Sequence, residues 1–280
     1  MKKLLLGNEA VARGLYEAGC RVASSYPGTP STEITEYAAK YEDIYCEWAP
    51  NEKVAMEVAC GAAIAGARSF CAMKHVGLNV ACDPLFTASY TGVNAGMVIA
   101  VADDPGMHSS QNEQDSRHHA QASKTMMLEP SDSAECLAYT KLAYELSEQF
   151  DTPVILRLST RVSHSRSLSE TAERVDNGVK DYVKDPQKYV MMPAMAKGRH
   201  VVVEERFQAE TAWAETASIN TVEYNDTSIG VIAAGISYQY AKEALGDRVS
   251  YLKLGCVYPL PVELIKEFAD LSLIHISEPT

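Results

Sequence analysis

Short apolar segments alternate with helical patterns along the first part of this 280-residue chain. The clearest strand-like segments are Ser69–Lys74, Gly96–Ala102 and Pro153–Leu158. Longer segments with helical spacing lie before or between them, including Asn51–Ala67 and Asp132–Gln149. Parallel strands need such helical crossovers and are covered on both faces. The alternation therefore predicts an α/β fold with a doubly wound, mainly parallel sheet.

The pattern changes after a first domain predicted over residues 1–160. Residues 161–198 are polar and carry no sustained period, which indicates a linker. A strand–helix–strand pattern returns near Ile229, so residues 199–270 are predicted to form a partial second α/β domain. The final segment, LSLIHISEPT, neither completes the preceding helix nor supplies turn chemistry. We therefore expect residues 271–280 to be a non-native tail.

The net charge, the cysteine spacing and the apolar runs of the sequence limit the kinds of partner and ligand that this chain can bind. A net charge of −12 argues against nucleic acid and against anionic membrane surfaces. None of the seven cysteines lies two or three residues from another, so no CxxC element is available for zinc, an iron–sulfur cluster or a redox dithiol. No apolar run approaches the roughly 18–20 residues that cross a bilayer. These features predict a cytoplasmic protein whose own residues hold no metal.

The segment WAPNEKVAMEVACGAAIAG, from Trp48 to Gly66, places Glu52 at the start of a helix rich in alanine and glycine. A carboxylate in the first helical turn interacts favourably with the helix dipole, and this ordinary start signal is the simpler interpretation of the residue alone. The small side chains would also let a flat ligand approach the backbone closely. Glu57 is a competing carboxylate, but it would lie on a different face of the helix. The residues alone leave both roles for Glu52 open.

Two further polar segments follow predicted strands. The first, SSYPGTPSTEI over Ser24–Ile34, is typical of a strand–turn–helix corner, and α/β folds place ligands at such strand ends. The second is the loop Asp103–Arg117. It carries five consecutive side chains with more hydrogen-bonding capacity than a turn requires: His108, Ser109, Ser110, Gln111 and Asn112. A metal site is not predicted there, because the adjacent His118 and His119 cannot share one helix face.

These motifs resemble the pyrimidine-binding domain of the 2-oxoacid:ferredoxin oxidoreductase family. The polar loop, KHVGLNVACDP (Lys74–Pro84) and RVSHSRS also resemble the alpha subunits of its indolepyruvate-type members. The resemblance implies thiamine diphosphate as the cofactor. It implies that catalytic Glu52 hydrogen-bonds N1′ of the aminopyrimidine and favours the imino tautomer that generates the ylid. It also implies a cofactor pocket shaped by Tyr26, Pro27, Gly28 and Thr29.

The same resemblance suggests where the substrate binds. In the family, the residue matching Thr29 lies near the substrate carboxylate. Other members carry a Ser/Gly-rich turn where this chain has Lys74 and His75. We therefore expect these two residues to bind the substrate together with the loop residues His108, Ser109, Ser110, Gln111 and Asn112.

The family resemblance implies an activity larger than this chain can support alone. Such enzymes convert an aryl 2-oxo acid such as indolepyruvate, coenzyme A and oxidised ferredoxin into an aryl-acetyl-CoA, carbon dioxide and reduced ferredoxin. The implied partner is a smaller beta subunit in a dimer of heterodimers. Mg²⁺ and [4Fe-4S] clusters would be held by a C-terminal part outside these residues, so the fragment alone is expected to be inactive. The partial second domain would resemble the transketolase C-terminal domain.

Two alternatives to this interpretation stay open. One is another member of the same family that acts on pyruvate or a branched-chain 2-oxo acid. The other is a non-catalytic module for binding or dimerisation.

Overall fold

The structure is a computed structural model that describes residues 1–270 and the backbone of residues 275–277. The predicted non-native tail lies for the most part outside the described residues and stays a prediction. The first elements of the chain are, in order, β1 (Lys2–Leu6), α1 (Gly7–Glu17), β2 (Val22–Ser25), α2 (Thr32–Ala38), β3 (Tyr45–Trp48), α3 (Glu52–Ile64), β4 (Ser69–Lys74), α4 (His75–Val80), α5 (Cys82–Thr91), β5 (Met97–Asp103), α6 (Arg117–Ser123), β6 (Met127–Leu128), α7 (Ser133–Phe150) and β7 (Val154–Ser159).

The remaining elements follow without a long gap except before α9. They are α8 (Thr160–His164), β8 (Arg166–Glu170), α9 (Pro186–Tyr189), α10 (Pro193–Thr216), β9 (Thr221–Glu223), β10 (Gly230–Ala234), α11 (Gly235–Leu245), β11 (Ser250–Leu254), β12 (Cys256–Tyr258), α12 (Val262–Asp270) and β13 (His275–Ser277).

A seven-stranded sheet in the order β12-β6-β7-β5-β4-β2-β3 forms the centre of the fold. Its neighbouring strands are parallel except for β12, which runs antiparallel to β6. Successive residues of β5 enter different cores, because side chains alternate across a strand. Val98 lies in the core that contains residues of α1 and α7, and Ile99 lies in the core that contains residues of α3 and α5. The prediction of a doubly wound, mainly parallel sheet is confirmed.

The segment predicted as a linker contains regular structure. β8 pairs antiparallel with the N-terminal strand β1, with Lys2 opposite Glu170. Residues 171–185 form no helix or strand, but they are hydrogen-bonded across the amino end of the large sheet. There the Val175 N–H donates to the Glu17 carbonyl and the Lys180 N–H donates to the Gly66 carbonyl, each at 2.9 Å. This segment therefore lies at the edge opposite the strand ends that carry the predicted site.

The residues after α10 contribute to two sheets. β10 and β11 are parallel, and with β9 and β13 they form a four-stranded sheet in the order β13-β10-β11-β9. β12 instead joins the large sheet. The division of the chain into two separate domains stays a prediction. None of the helices in residues 1–270 combines the length and the apolar character needed to span a bilayer.

Candidate active site at the carboxyl edge of the sheet

The carboxyl ends of four neighbouring parallel strands, β2, β4, β5 and β7, lie at one edge of the large sheet. The YPGTPS corner follows β2, Lys74 and His75 lie at the end of β4, the polar loop follows β5, and α8 follows β7. Ligands in open α/β sheets bind outside the carboxyl ends of the strands. The fold therefore brings the separate sequence motifs to one edge.

Glu52 is the first residue of α3, which is capped by the side chain of Asn51 accepting from the Val54 N–H at 3.0 Å. The Glu52 side chain is half-buried and lies across Gly77 of α4. A Cβ atom at position 77 would lie 2.5 Å from Glu52 Oε1 and 2.7 Å from its Cγ. Only glycine therefore leaves room for the carboxylate in this position. Sequence reasoning missed Gly77, because the contact joins two helices distant in the chain.

The small residues of α3 have two different environments. Ala55, Ala59 and Ala63 are buried against the protein itself, and the Ser69 hydroxyl donates to the Ala59 carbonyl at 2.7 Å. Gly61, by contrast, is exposed, and a Cβ atom there would meet nothing within 4 Å. The expectation that this whole small-residue stripe admits a flat ligand is therefore wrong for its buried side. Close packing of the helix on the sheet is the reason for those alanines.

The YPGTPS corner is held by hydrogen bonds within its own turn. The Thr32 hydroxyl oxygen accepts from the Gly28 N–H at 2.8 Å, and the Ser31 hydroxyl donates to the Gly28 carbonyl at 2.8 Å. The aliphatic part of Lys74 packs on Gly28, where a Cβ atom would lie 2.9 Å from Lys74 Cδ. Tyr26, Pro27 and Thr29 are left exposed at the sheet edge. The corner is thus rigid while its outward side chains are free to meet a ligand.

Lys74 and His75 hold the polar loop by its main chain. Lys74 Nζ donates to the Ser109 carbonyl at 2.8 Å, and His75 Nε2 donates to the Asn112 carbonyl at 2.9 Å. His75 is fully buried, and its Nδ1 has no hydrogen-bond partner among the described residues. These contacts give both residues a role in positioning the loop. Direct contact of either residue with a substrate stays a prediction.

Asp104 anchors the loop from within. Its carboxylate accepts from the Ser109 N–H at 2.7 Å, from the Ser110 hydroxyl at 2.8 Å and from the Thr160 hydroxyl at 2.7 Å. Burial alone would raise the pKa of Asp104, but these hydrogen bonds outweigh it and lower the pKa to about 2. Sequence reasoning missed this residue, although two aspartates directly after a buried strand were a visible signal.

A buried ion-pair network closes the base of the loop. Arg157 Nε donates to Asp103 at 2.8 Å, and its Nη1 donates to Glu129 at 2.6 Å. Asp103 also accepts from the N–H and the hydroxyl of Ser116, which joins the beginning of the loop to its end. Burial disfavours the charge on Arg157, but the two carboxylates raise its pKa above the usual value. Loss of one partner in such a network typically costs about 3–5 kcal/mol.

The five consecutive loop residues have different surroundings. The Ser110 hydroxyl points inward to Asp104, and Ser109 and Asn112 are held by their carbonyl groups. Gln111 is exposed. His108 lines a cavity of about 290 Å³ together with residues of α8. The loop is thus a braced structure rather than a flexible turn.

Residues 13–229 match the family model described as pyruvate flavodoxin/ferredoxin oxidoreductase, thiamine diphosphate-binding. The chain belongs to this family. The family predicted from the Glu52 segment, the YPGTPS corner and the polar loop is therefore confirmed.

Two relatives within the family are indolepyruvate oxidoreductase subunits IorA. The subunit from Methanothermobacter marburgensis is 48% identical over 94% of this chain, and that from Archaeoglobus fulgidus is 43% identical over 96%. The chain spans 44% and 45% of those two proteins, which is less than half of their length. The 2-oxoglutarate synthase subunit KorA from the former organism is more distant, at 24% identity over 95% of this chain and 84% of that protein.

A solved structure of the 2-oxoglutarate:ferredoxin oxidoreductase from Magnetococcus marinus has the same fold. It superposes with a TM-score of 0.80 at 18% sequence identity, covering 99% of this chain and 57% of that one. Its description names bound 2-oxoglutarate, coenzyme A and succinyl-CoA. At this identity the likeness concerns the fold.

Proposed function

We propose that this chain forms the aminopyrimidine side of the active site in a thiamine-diphosphate-dependent 2-oxoacid:ferredoxin oxidoreductase of the indolepyruvate type. The reaction would convert an aryl 2-oxo acid and coenzyme A into an aryl-acetyl-CoA and carbon dioxide, while two electrons pass singly to ferredoxin. The family and the identity to indolepyruvate oxidoreductase subunits support this proposal. The observation that carries it is the Glu52 carboxylate held against Gly77 at the carboxyl edge of the sheet.

The residues present fit the pyrimidine ring of the cofactor. Glu52 is half-buried, and its carboxylate has no ion-pair or hydrogen-bond partner within residues 1–270, so it is available to a ligand. Thiamine diphosphate, once bound, would supply a carbon nucleophile and an electron sink for the decarboxylation of the 2-oxo acid. The role of Glu52 would be to share a proton with N1′ of the ring. Partial burial strengthens this interaction by lowering the local dielectric.

Residues of the corner and of the polar loop would orient the two ligands. Tyr26, Pro27, Gly28 and Thr29 lie on the rigid corner beside the end of β4, where they can pack on the cofactor. The exposed Thr29 hydroxyl is suited to donate to the substrate carboxylate. The polar side chains of the loop would face the rest of the substrate, while Lys74 and His75 hold its backbone in place.

Other parts of the enzyme are assigned outside these residues. We place the diphosphate- and Mg²⁺-binding residues, the [4Fe-4S] clusters and the contacts with ferredoxin in a C-terminal part of the protein and in a smaller beta subunit. A dimer of heterodimers would complete the site. All seven cysteines are free thiols, which fits a reducing, cytoplasmic setting.

Glu52→Gln tests the proposal in the full-length complex. Glutamine keeps the shape of the side chain but cannot share the proton, so indolepyruvate-dependent reduction of ferredoxin should fall at least about 10²-fold at saturating cofactor. Glu57→Gln is the matched control, because Glu57 is exposed on the same helix and should leave the rate unchanged. Circular dichroism would check that both variants fold. Wild-type rates in the Glu52 variant would remove this residue from its role.

The substrate class needs its own measurement. Initial rates of the intact complex with indolepyruvate, pyruvate and a branched-chain 2-oxo acid, compared as kcat/KM, would rank them. We expect the aryl substrate to lead. A preference for pyruvate would keep the family but contradict the indolepyruvate assignment, and the absence of turnover with every 2-oxo acid would favour a binding module.

A further inference from the structure

A small cavity lies beside the polar loop at the same edge of the sheet. It has a volume of about 290 Å³ and is lined by His108 of the loop and by Thr160, Arg161, His164 and Ser165 of α8 and the residue that follows it. Three of its lining side chains carry or can carry positive charge, and no carboxylate of residues 1–270 lines it. In a chain with a net charge of −12, such a lining is a local exception. The cavity therefore suits an anionic group.

Arg161 is the uncompensated charge of this cavity. Its guanidinium has no hydrogen bond or ion pair with any residue in the described part of the chain. The nearby Arg157 is the opposite case, since Asp103 and Glu129 neutralise it in the interior. Glu33 lies 3.5 Å from His164 Nε2 and so faces His164 rather than Arg161. An unpaired guanidinium at a concave site is the usual receptor for a carboxylate or phosphate, which it can bind through two parallel N–H donors.

Polar contacts extend from this cavity toward the predicted active-site corner. Glu33 faces His164 on one side, and on the other it accepts from Asn8 Nδ2 at 3.0 Å. The same Asn8 nitrogen donates to the Pro30 carbonyl at 2.7 Å, next to Thr29. His108, which also lines the cavity, precedes Ser109, whose carbonyl accepts from Lys74 Nζ. The cavity is thus linked to the corner through Glu33 and Asn8, and to the polar loop through His108.

We propose that this cavity binds an oxyanionic group of a reactant through Arg161, with His108 and His164 as additional donors. The group is either the carboxylate of the 2-oxo acid or a phosphate of coenzyme A, which present the same chemistry to a guanidinium. This inference rests on the proposed function, because it assigns a subsite to the reactants of that reaction. No redox or covalent step is involved.

Arg161→Gln in the full-length complex tests the inference, and Arg166→Gln is its matched control. Arg166 is exposed on β8, five residues away, and does not line the cavity. Losing a charged hydrogen-bond donor should raise one KM about tenfold or more, with kcat less affected. A rise in the KM for the 2-oxo acid identifies the carboxylate as the occupant, and a rise in the KM for coenzyme A identifies a phosphate. Arg161→Lys should restore part of the loss, because it keeps the charge but not the planar fork.

A labelling experiment supplies a readout independent of turnover. Phenylglyoxal should modify Arg161 in the free complex, and the ligand that binds the cavity should protect it in peptide mass spectra while Arg166 stays reactive. The proposed subsite is overturned if the wild-type complex turns over normally, the KM values of Arg161→Gln are unchanged, and no ligand protects Arg161 from phenylglyoxal. A wild-type complex that turns over no 2-oxo acid overturns the proposed function and this inference with it.

Discussion

Gly77→Ala is the sharpest perturbation of the candidate active site, because it changes one methyl group and acts on Glu52. The added Cβ would lie 2.5 Å from Glu52 Oε1, whereas ordinary contacts begin at 3.4 Å. The carboxylate must therefore move by roughly 0.9 Å, and a displacement of about 1 Å in a catalytic group can cost about 10²-fold in rate. The backbone itself should tolerate alanine, because position 77 lies within α4 and alanine favours a helix by about 1 kcal/mol over glycine.

The expected result is thus loss of activity without loss of the fold. Turnover of the full-length complex should fall about 10²-fold while the melting temperature stays within a few degrees of wild type. Gly61→Ala is the control, since it adds the same methyl group to α3 where nothing lies within 4 Å of the new atom. It should leave turnover unchanged and stabilise slightly. Equal activity of Gly77→Ala and wild type would refute the argument that the Glu52 position matters.

Two other carboxylates give predictions of a different kind. Asp104→Asn should loosen the polar loop, because an amide cannot accept all three hydrogen bonds. Amide hydrogen exchange over residues 105–112 should therefore become faster. Unaltered exchange would contradict the anchoring role of Asp104. Burial of Glu210 raises its pKa to about 7, so its ionisation should cost stability increasingly as the pH rises from about 4 to 7. Glu210→Gln should therefore flatten the pH dependence of the melting temperature over that range, and an unchanged profile would refute this ionisation.

The central part of the fold was predictable because it follows local rules. The predicted strand Gly96–Ala102 is offset by only one residue from the observed β5, Met97–Asp103. It was recognisable because a strand that is buried on both faces of a parallel sheet is a continuous apolar segment. The predicted helix Asp132–Gln149 likewise matches α7. The side chain of Asp132 caps the N-terminus of this helix by accepting from the Glu135 N–H. The family followed from the same stretches, because they carry its motifs.

Helix α10 was not predicted, and its burial explains why. Its buried positions are Val203, Arg206, Glu210 and Ala214, which have helical spacing but include two charged side chains. An apolar stripe is the signal that identifies an amphipathic helix, and here half of that stripe is polar. β8 was not predicted for a related reason. Its residues are mostly polar, and it forms a strand by pairing with β1, which is distant in the chain.

The site was predictable as a set of residues but not as an arrangement. Nothing in the sequence indicates that His75 donates to a loop carbonyl, because that depends on where the loop folds. Gly77 and Asp104 act through contacts with Glu52 and with the loop, and each is visible only when the strand ends are brought together. That Arg161 has no partner within residues 1–270 is likewise a property of the folded chain.

The strand β12 has a consequence for how the molecule is made. β6 is two residues long and ends the parallel part of the large sheet, and its outer edge is covered by residues more than a hundred positions downstream. When only residues 1–160 have left the ribosome, the outer edge of β6 is therefore uncovered. That edge can pair with other chains until Cys256–Tyr258 emerges and covers it. The β6 edge is thus expected to stay uncovered for as long as the ribosome takes to extend the chain from β7 to β12.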